Sequence, residues 1–111
     1  MAKITSEQLN QSAMMIILHA GNCRNCVNEA LQELETNSDF IIIDEKMKEA
    51  KKEITEAHKI QTNMIQSTIE DDELNTTLLF SHAQDTLMTI YSELNIASHL
   101  IKLFVKLNER A

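Results

Sequence analysis

The chain has no proline and only one glycine, Gly21, in 111 residues. Sheets and turn-rich folds need many more of these two residues, because both supply the backbone angles of tight turns. Leu, Ile, Met, Ala, Glu, Gln and Lys are abundant instead, and all are good helix formers. A length of 111 residues is typical of one domain. The sequence therefore predicts a single all-α domain, residues 1–111, built as a helical bundle.

The chain is acidic, with 10 Lys and Arg against 17 Asp and Glu and a net charge of −7. This argues against nucleic acid and anionic membranes as partners, since both would repel the chain. The longest apolar run, AMMIILHA at 13–20, is too short to span a bilayer, and the N-terminal MAKITSEQ lacks the apolar core of a signal peptide. We therefore expect no membrane insertion and a cytoplasmic location, where Cys23 and Cys26 stay reduced.

The first helix has both a start signal and an interruption. Thr5-x-x-Gln8 predicts a capping box at its N-terminus. Apolar residues then recur at helical spacing, at Leu9, Ala13, Ile16, Ile17, Ala20, Val27, Ala30, Leu31 and Leu34. Gly21 interrupts this pattern and predicts either a kink or the close approach of another backbone.

The second helix is expected between two short loops. ETNSD at 35–39 predicts the first loop, in which Ser38 or Asp39 caps the next helix. Steps of three and four then define an apolar seam, at Phe40, Ile43, Met47, Ala50, Ile54, Ala57, Gln61, Met64 and Thr68. EDDE at 70–73 is either the second loop or the acidic first turn of a third helix. Because both loops are short, successive helices should run antiparallel.

The third helix carries two stripes, about 100° apart. The first is apolar throughout and should pack on the other helices, at Leu79, Ala83, Leu87, Ile90, Leu94, Ala97, Ile101 and Phe104. The second is polar at its centre and apolar at both ends, at Leu78, His82, Asp85, Thr89, Ser92, Ile96, Leu100, Leu103 and Leu107. A three-helix bundle needs one stripe per helix for its own core. The second stripe therefore predicts self-association with other copies of the chain.

Three segments resemble one known family. HAQDTLMT at 82–89 is similar to the HAQDHLMT signature of the lactose/cellobiose-type enzyme IIA proteins of the bacterial sugar phosphotransferase system. IILHAGNCRNCVNEALQELETNSDF at 16–40 resembles the AG, EAL and GDF region of the family, and EAHKIQTNMIQ at 56–66 resembles its EAHxxQTxLIQ segment. The resemblance covers nearly the whole chain, with the motifs in the same order.

The resemblance implies a fold, an activity and partners. The fold is an antiparallel three-helix bundle, and three copies form a homotrimer. His82 accepts a phosphoryl group from the phosphohistidine of HPr and passes it to a cysteine of the cognate IIB component, while a membrane IIC component transports the sugar. A cellobiose- or chitobiose-type β-disaccharide is favoured over lactose. Asp85 lies at the trimer contact and can help to hold a divalent cation such as Mg²⁺, although the transfer itself requires no cofactor.

Phosphoryl transfer needs a nucleophile that is neutral near pH 7 and that forms an easily broken bond. An imidazole meets both requirements, which suits His82 to the role. The remaining help is positioning and hydrogen bonding to phosphoryl oxygens. Candidate donors are Ser81, Gln84, Thr86 and Thr89 on the same helix, with Gln61 of the second helix as a further candidate. Thr86 stands where the family signature has a second histidine, so no role of that histidine carries over.

Two other functions are compatible with the sequence. The heptad pattern alone would suit a non-catalytic helical interaction module. His19, Cys23 and Cys26 follow the spacing H-x₃-C-x₂-C, which places three potential zinc ligands on one helix face and leaves a metal or thiol sensor as an alternative. Because a zinc site needs a fourth ligand, we expect buried reduced thiols instead. His58 is expected to be a structural histidine rather than a catalytic one, and His99 is expected to be structural or exposed.

Overall fold

A computed structural model describes residues 4–70 and 76–110, with side chains for all of these except 68–70. Over these ranges the chain forms three α-helices and no strand: α1 (Ser6–Glu35), α2 (Phe40–Glu70) and α3 (Leu78–Arg110). The all-α prediction is therefore confirmed. The bundle measures 60 × 21 × 18 Å. Of the predicted second loop, only Glu70 is described, as the last residue of α2, and 71–73 lie outside the described residues.

The start of α1 is fixed by the predicted capping box. Thr5 Oγ1 accepts a hydrogen bond from the Gln8 backbone N–H at 3.1 Å, and Gln8 Oε1 accepts one from the Thr5 backbone N–H at 2.9 Å. Two backbone donors that the helix itself cannot satisfy are thereby paired.

Gly21 lies inside α1, which continues through it without a break. A Cβ atom added at this position would meet no atom within 4 Å. The predicted close approach of another backbone at Gly21 is therefore wrong, because nothing lies near enough to need the missing side chain.

Two neighbouring residues in the turn between α1 and α2 make different hydrogen bonds at the helix ends. Ser38 Oγ donates to the Leu34 carbonyl at 2.8 Å and so closes the end of α1. Asp39 Oδ1 accepts a hydrogen bond from the Ile41 backbone N–H at 3.0 Å and so caps α2. Of the two predicted caps for α2, the structure therefore uses Asp39.

Side-chain pairs between the helices establish their directions: His19–Glu53 and Glu29–Lys46 join α1 to α2, and His58–Tyr91 and Phe40–Phe104 join α2 to α3. For α1 with α2, and again for α2 with α3, the pair with the higher residue number in one helix has the lower residue number in the other. Neighbouring helices are therefore antiparallel, as predicted, and α1 and α3 run in the same direction.

The core lies mainly along α1, which packs against both other helices, whereas α2 and α3 touch each other least. The buried residues follow the predicted stripes closely, and in α2 they are Ile43, Met47, Ala50, Ile54 and Ala57. Phe40 and Phe104, expected in the core, are 37% and 36% exposed and contact each other at 6.1 Å between ring centroids. Phe80 is buried although it belongs to neither predicted stripe of α3.

Candidate functional site

The second stripe of α3 lies on the surface of the single chain. Its apolar members are largely exposed: Leu78 88%, Ile96 58%, Leu100 49%, Leu103 55% and Leu107 59%. His82, Asp85, Thr89 and Ser92 between them are exposed as well. A helix face of this length and apolarity is unusual for a surface that meets only water.

His82 occupies the second turn of α3. Thr77 precedes the helix, and its Oγ1 accepts a hydrogen bond from the Phe80 backbone N–H at 3.1 Å. Ala83 and Leu87, on the side of α3 that faces the core, are fully buried and hold this part of α3 in place. Within the described part of the chain, the exposed imidazole has no hydrogen-bond partner. Both its accessibility and its fixed backbone suit a group that reacts with an incoming macromolecule.

The candidate partners of His82 do not all lie on its side of the helix. Thr86 is one turn further along α3 and half-buried on the same flank. Gln84 is two residues from His82, a separation of about 200° around a helix, so it lies on another face. Of these two side chains, Thr86 is the better placed to assist His82.

Gln61 is half-buried on α2, at some distance along the bundle from His82. His58 contacts Tyr91 with ring centroids 5.0 Å apart. Because α2 and α3 are antiparallel, Gln61 lies about level with Met88. A helix rises about 1.5 Å per residue, which separates Gln61 from the level of His82 by roughly 9 Å.

Asp85 is exposed on the same stripe, one turn beyond His82. Within the described residues of one chain, no group of three His, Cys, Asp or Glu side chains could hold a metal ion. A cation held at Asp85 by several carboxylates would therefore draw them from further copies of the chain, and carboxylate oxygens are ligands that suit a hard cation such as Mg²⁺.

The Cys and His side chains of α1 face α2. His19 Nδ1 lies 2.6 Å from Glu53 Oε2. Cys23 and Cys26 are buried free thiols, as expected. Burial, reinforced by Cys26 and nearby glutamates, raises the pKa of the Cys23 thiol to about 11, and burial also raises the pKa of Cys26. Both thiols are therefore neutral near pH 7, which does not suit a reactive sensor.

Two features on the flank of α1 that faces α3 were not found from the sequence. Arg24 makes a two-bond ion pair with Glu93, with N–O distances of 2.9 and 2.8 Å. The Oδ1 atom of Asn10 is buried and has no hydrogen-bond partner. A polar residue directly after the buried Leu9 was the available signal for Asn10, but it could not show which helix the side chain would meet.

The geometry shows an all-helical chain with an accessible imidazole on a largely apolar helix face. The comparisons with known proteins are more specific. Residues 11–105 match the family model described as PTS system, Lactose/Cellobiose specific IIA subunit. The chain belongs to this family.

Named relatives and a solved structure agree with this assignment. The chain is 33% identical to the lichenan-specific phosphotransferase enzyme IIA component of Bacillus subtilis, over 95% of this chain and 94% of the relative. It is 35% identical to the lactose-specific EIIA component of Lactococcus lactis, over 88% and 92%. The crystal structure of the cellobiose-specific enzyme IIA from Bacillus anthracis superposes with a TM-score of 0.83 at 34% identity, over 97% of this chain and 96% of that one.

Membership of this family gives the chain a role in sugar phosphotransfer, together with the HPr and IIB components with which such proteins work. Among the described residues, no helix is both long and apolar enough to cross a membrane.

Proposed function

We propose that His82 is the phosphoacceptor of this chain. In the first step, the bond between phosphorus and a nitrogen of phospho-HPr breaks as a ring nitrogen of His82 bonds to phosphorus. In the second, this new bond breaks as a cysteine thiolate of the IIB component takes the phosphoryl group. The observation that supports this proposal is the exposure of His82 in the signature segment, which lies within the matched region.

The surroundings of His82 suit a carrier that serves two partners in turn. An exposed imidazole on a helix fixed by buried neighbours can be approached by either protein without a change in the fold. No Lys or Arg lies within one turn of His82, and the chain is acidic. The positive charge that stabilises the phosphoryl oxygens would then come from the partner. Association with HPr should accordingly weaken as salt concentration rises.

We also propose that three copies of the chain associate through the second stripe of α3. The exposed leucines at both ends of the stripe would be buried, and His82 would lie beside a neighbouring subunit. Three Asp85 carboxylates would then approach each other, which is unfavourable unless protonation or a bound cation such as Mg²⁺ reduces the repulsion.

Thr86 is the preferred additional hydrogen-bond donor to the phosphoryl oxygens at His82, with Gln84 and Gln61 in lesser roles.

The proposed sugar is a β-linked disaccharide of the cellobiose or chitobiose type in preference to lactose. Relatives named for lichenan, cellobiose, chitobiose and lactose have similar identities, between 29% and 35%. The proposal covers residues 1–111 as one IIA domain acting in the cytoplasm. Uptake assays with candidate sugars and the cognate IIB and IIC components would decide between these substrates.

The phosphoacceptor is tested by incubating the chain with enzyme I, HPr and phosphoenolpyruvate and measuring intact mass. We expect one acid-labile phosphoryl group on the wild type and none on His82→Gln. His99→Gln is the matched control, because His99 is also exposed on α3 but lies outside the signature. Labelling that persists in His82→Gln, or a wild type that takes no phosphate, would falsify the assignment.

The assembly is tested separately by light scattering. The wild type is expected to be a trimer, and Leu103→Glu is expected to weaken it by placing charge in the seam. Asp85→Leu should keep or strengthen the trimer, because it removes the like charges. A monomeric wild type, or an Asp85→Leu variant that dissociates, would contradict the proposed seam.

A non-catalytic interaction module would show the same assembly without phosphorylation, so the mass measurement separates it from the carrier. The sensor alternative has less support, since the thiols are buried and neutral. Zinc that persists through dialysis would favour the sensor.

A further inference from the structure

Asn10 is one of two residues in the described part of the chain with a buried side-chain oxygen that has no hydrogen-bond partner; the other is Glu33. Asn10 is half-buried in the first half of α1, and its Oδ1 atom is shielded from solvent without a hydrogen-bond donor. Buried acceptors are normally paired, so the unpaired Oδ1 of Asn10 is available to a donor that approaches in another state of the protein.

The ion pair between Arg24 and Glu93 shows which part of α3 faces Asn10. Asn10 is fourteen residues before Arg24, and Leu79 is fourteen residues before Glu93. Since α1 and α3 run in the same direction, Asn10 lies about level with Leu79. His82 is three residues further along, less than one helical turn.

Contacts through α2 give a second estimate of this level. Gln8 and Ser12, on either side of Asn10, line a groove with Ile60 and Met64. The midpoint of these two α2 residues is four residues beyond His58, and His58 contacts Tyr91. Asn10 is then about level with Leu87, four residues before Tyr91. The two estimates, Leu79 and Leu87, lie on either side of His82.

The two side chains also lie on facing flanks of their helices. At about 100° per residue, Asn10 is within roughly 40° of the direction of Arg24 around α1. His82 is within roughly 20° of the direction of Glu93 around α3. They therefore project from the same flanks that Arg24 and Glu93 use to contact each other.

From this placement, and resting on the proposed function of His82, we propose that Asn10 is a positioning residue. Its Oδ1 accepts the hydrogen of the His82 ring nitrogen that does not attack phosphorus. The bond forms when the exposed imidazole turns toward α1. It selects the tautomer whose lone pair is available to phosphorus, and it holds the plane of the ring. A neutral amide accepts this hydrogen without competing for the proton.

The same hydrogen bond should strengthen as the phosphoryl group arrives. The ring then carries a proton on one nitrogen and phosphorus on the other, and hydrogen bonds to charged groups are stronger than those between neutral groups. Asn10 would thus favour the transition state over the free imidazole.

The test combines ¹⁵N spectra of the His82 imidazole with the single-turnover rate of phosphoryl transfer from phospho-HPr. The wild type should favour one neutral tautomer. Asn10→Ala should lose that preference and accept the phosphoryl group roughly tenfold more slowly, as expected for loss of a hydrogen bond to a charged ring. Asn10→Asp retains an acceptor oxygen and should restore the tautomer preference.

Asn28→Ala is the matched control, because Asn28 is exposed on the same flank of α1 but about five turns away. It should leave both readings unchanged. If Asn10→Ala had the same tautomer populations and the same rate of phosphoryl transfer as the wild type, the inference would be overturned. If the wild type took no phosphoryl group, the proposed function would fail, whereas the tautomer spectra would still test the hydrogen bond by itself.

Discussion

The buried thiol of Cys23 allows a test in which the size of the effect follows from the structure. Cys23 is 0% exposed. Burial raises the pKa of its thiol from 9.0 to about 11, with smaller contributions from Cys26, Glu53 and Glu93. Unfolding returns the thiol to water and to its ordinary pKa, so the folded chain holds this proton more tightly than the unfolded chain does.

The direction of the pH effect follows from this difference. Between the two pKa values the folded state binds more protons, so the free energy of unfolding falls as pH rises. The contribution of the neutral thiol is fully present below pH 9 and is lost as pH rises through about 11. A pKa difference of about 2, at about 1.4 kcal/mol per pKa unit, limits the loss to about 3 kcal/mol. At pH 11 about 2 kcal/mol should already be lost.

Urea unfolding followed by helical circular dichroism would measure this effect, with wild type and Cys23→Ala compared from pH 8 to 11 under reducing conditions. The variant has a cavity cost that does not depend on pH, and lysines titrate in both proteins alike. We expect the stability advantage of the wild type to shrink by about 2 kcal/mol over this range. A stability advantage of the wild type that stays constant from pH 8 to 11 would refute the account of the buried thiol.

The Cys23 thiol should also react slowly with iodoacetamide at pH 7.

Three further changes test the packing. Leu87→Ala empties a fully buried site and should lower the free energy of unfolding by about 2–5 kcal/mol; a loss below about 1 kcal/mol would contradict its place in the core. A double-mutant cycle on Arg24 and Glu93 should give a coupling of only about 0.2–1 kcal/mol, weaker in high salt, because the pair is exposed; salt-independent coupling would argue for a buried pair. Thr5→Ala should cost about 1 kcal/mol through loss of the cap, and an unchanged melting temperature would count against that cap.

The sequence predicted the helices and most of the core because the same helical repeat of apolar residues indicates where a helix forms and which of its side chains face the core. The α2 seam illustrates this point. Ile43, Met47 and Ala50 are buried as their spacing requires. Phe40, the first residue of the helix, is exposed in part. Periodicity gives the direction in which a side chain points, but the extent to which it is buried depends on where the neighbouring helices end.

Two residues of the fold were not predicted correctly. Phe80 is buried although it was left out of both stripes of α3; it lies seven residues before Leu87, so it points within about 20° of Leu87, toward the core. Gly21 suggested a close contact, yet the space beside it is open. A missing side chain signals that a close approach is allowed, and it does not show that another element uses the space.

The candidate site was predictable only in part, for a related reason. The helical period placed His82 and Asp85 on one stripe of α3, and both are exposed in the structure. The helical period also places Gln84 on a different face of α3 from His82. No pattern within one helix could place Asn10 between the levels of Leu79 and Leu87, because that level depends on the register between α1 and α3. Whether the stripe is covered by other copies stays a prediction.

The central position of α1 also affects how this bundle could move. Since α2 and α3 scarcely touch, each is held chiefly by its own seam with α1. Either outer helix could tilt or partly detach while the remaining pair stayed packed, so amide hydrogen exchange should be slowest along the middle of α1. A partner that engages α3 could thus adjust its angle without loosening the α1–α2 hairpin.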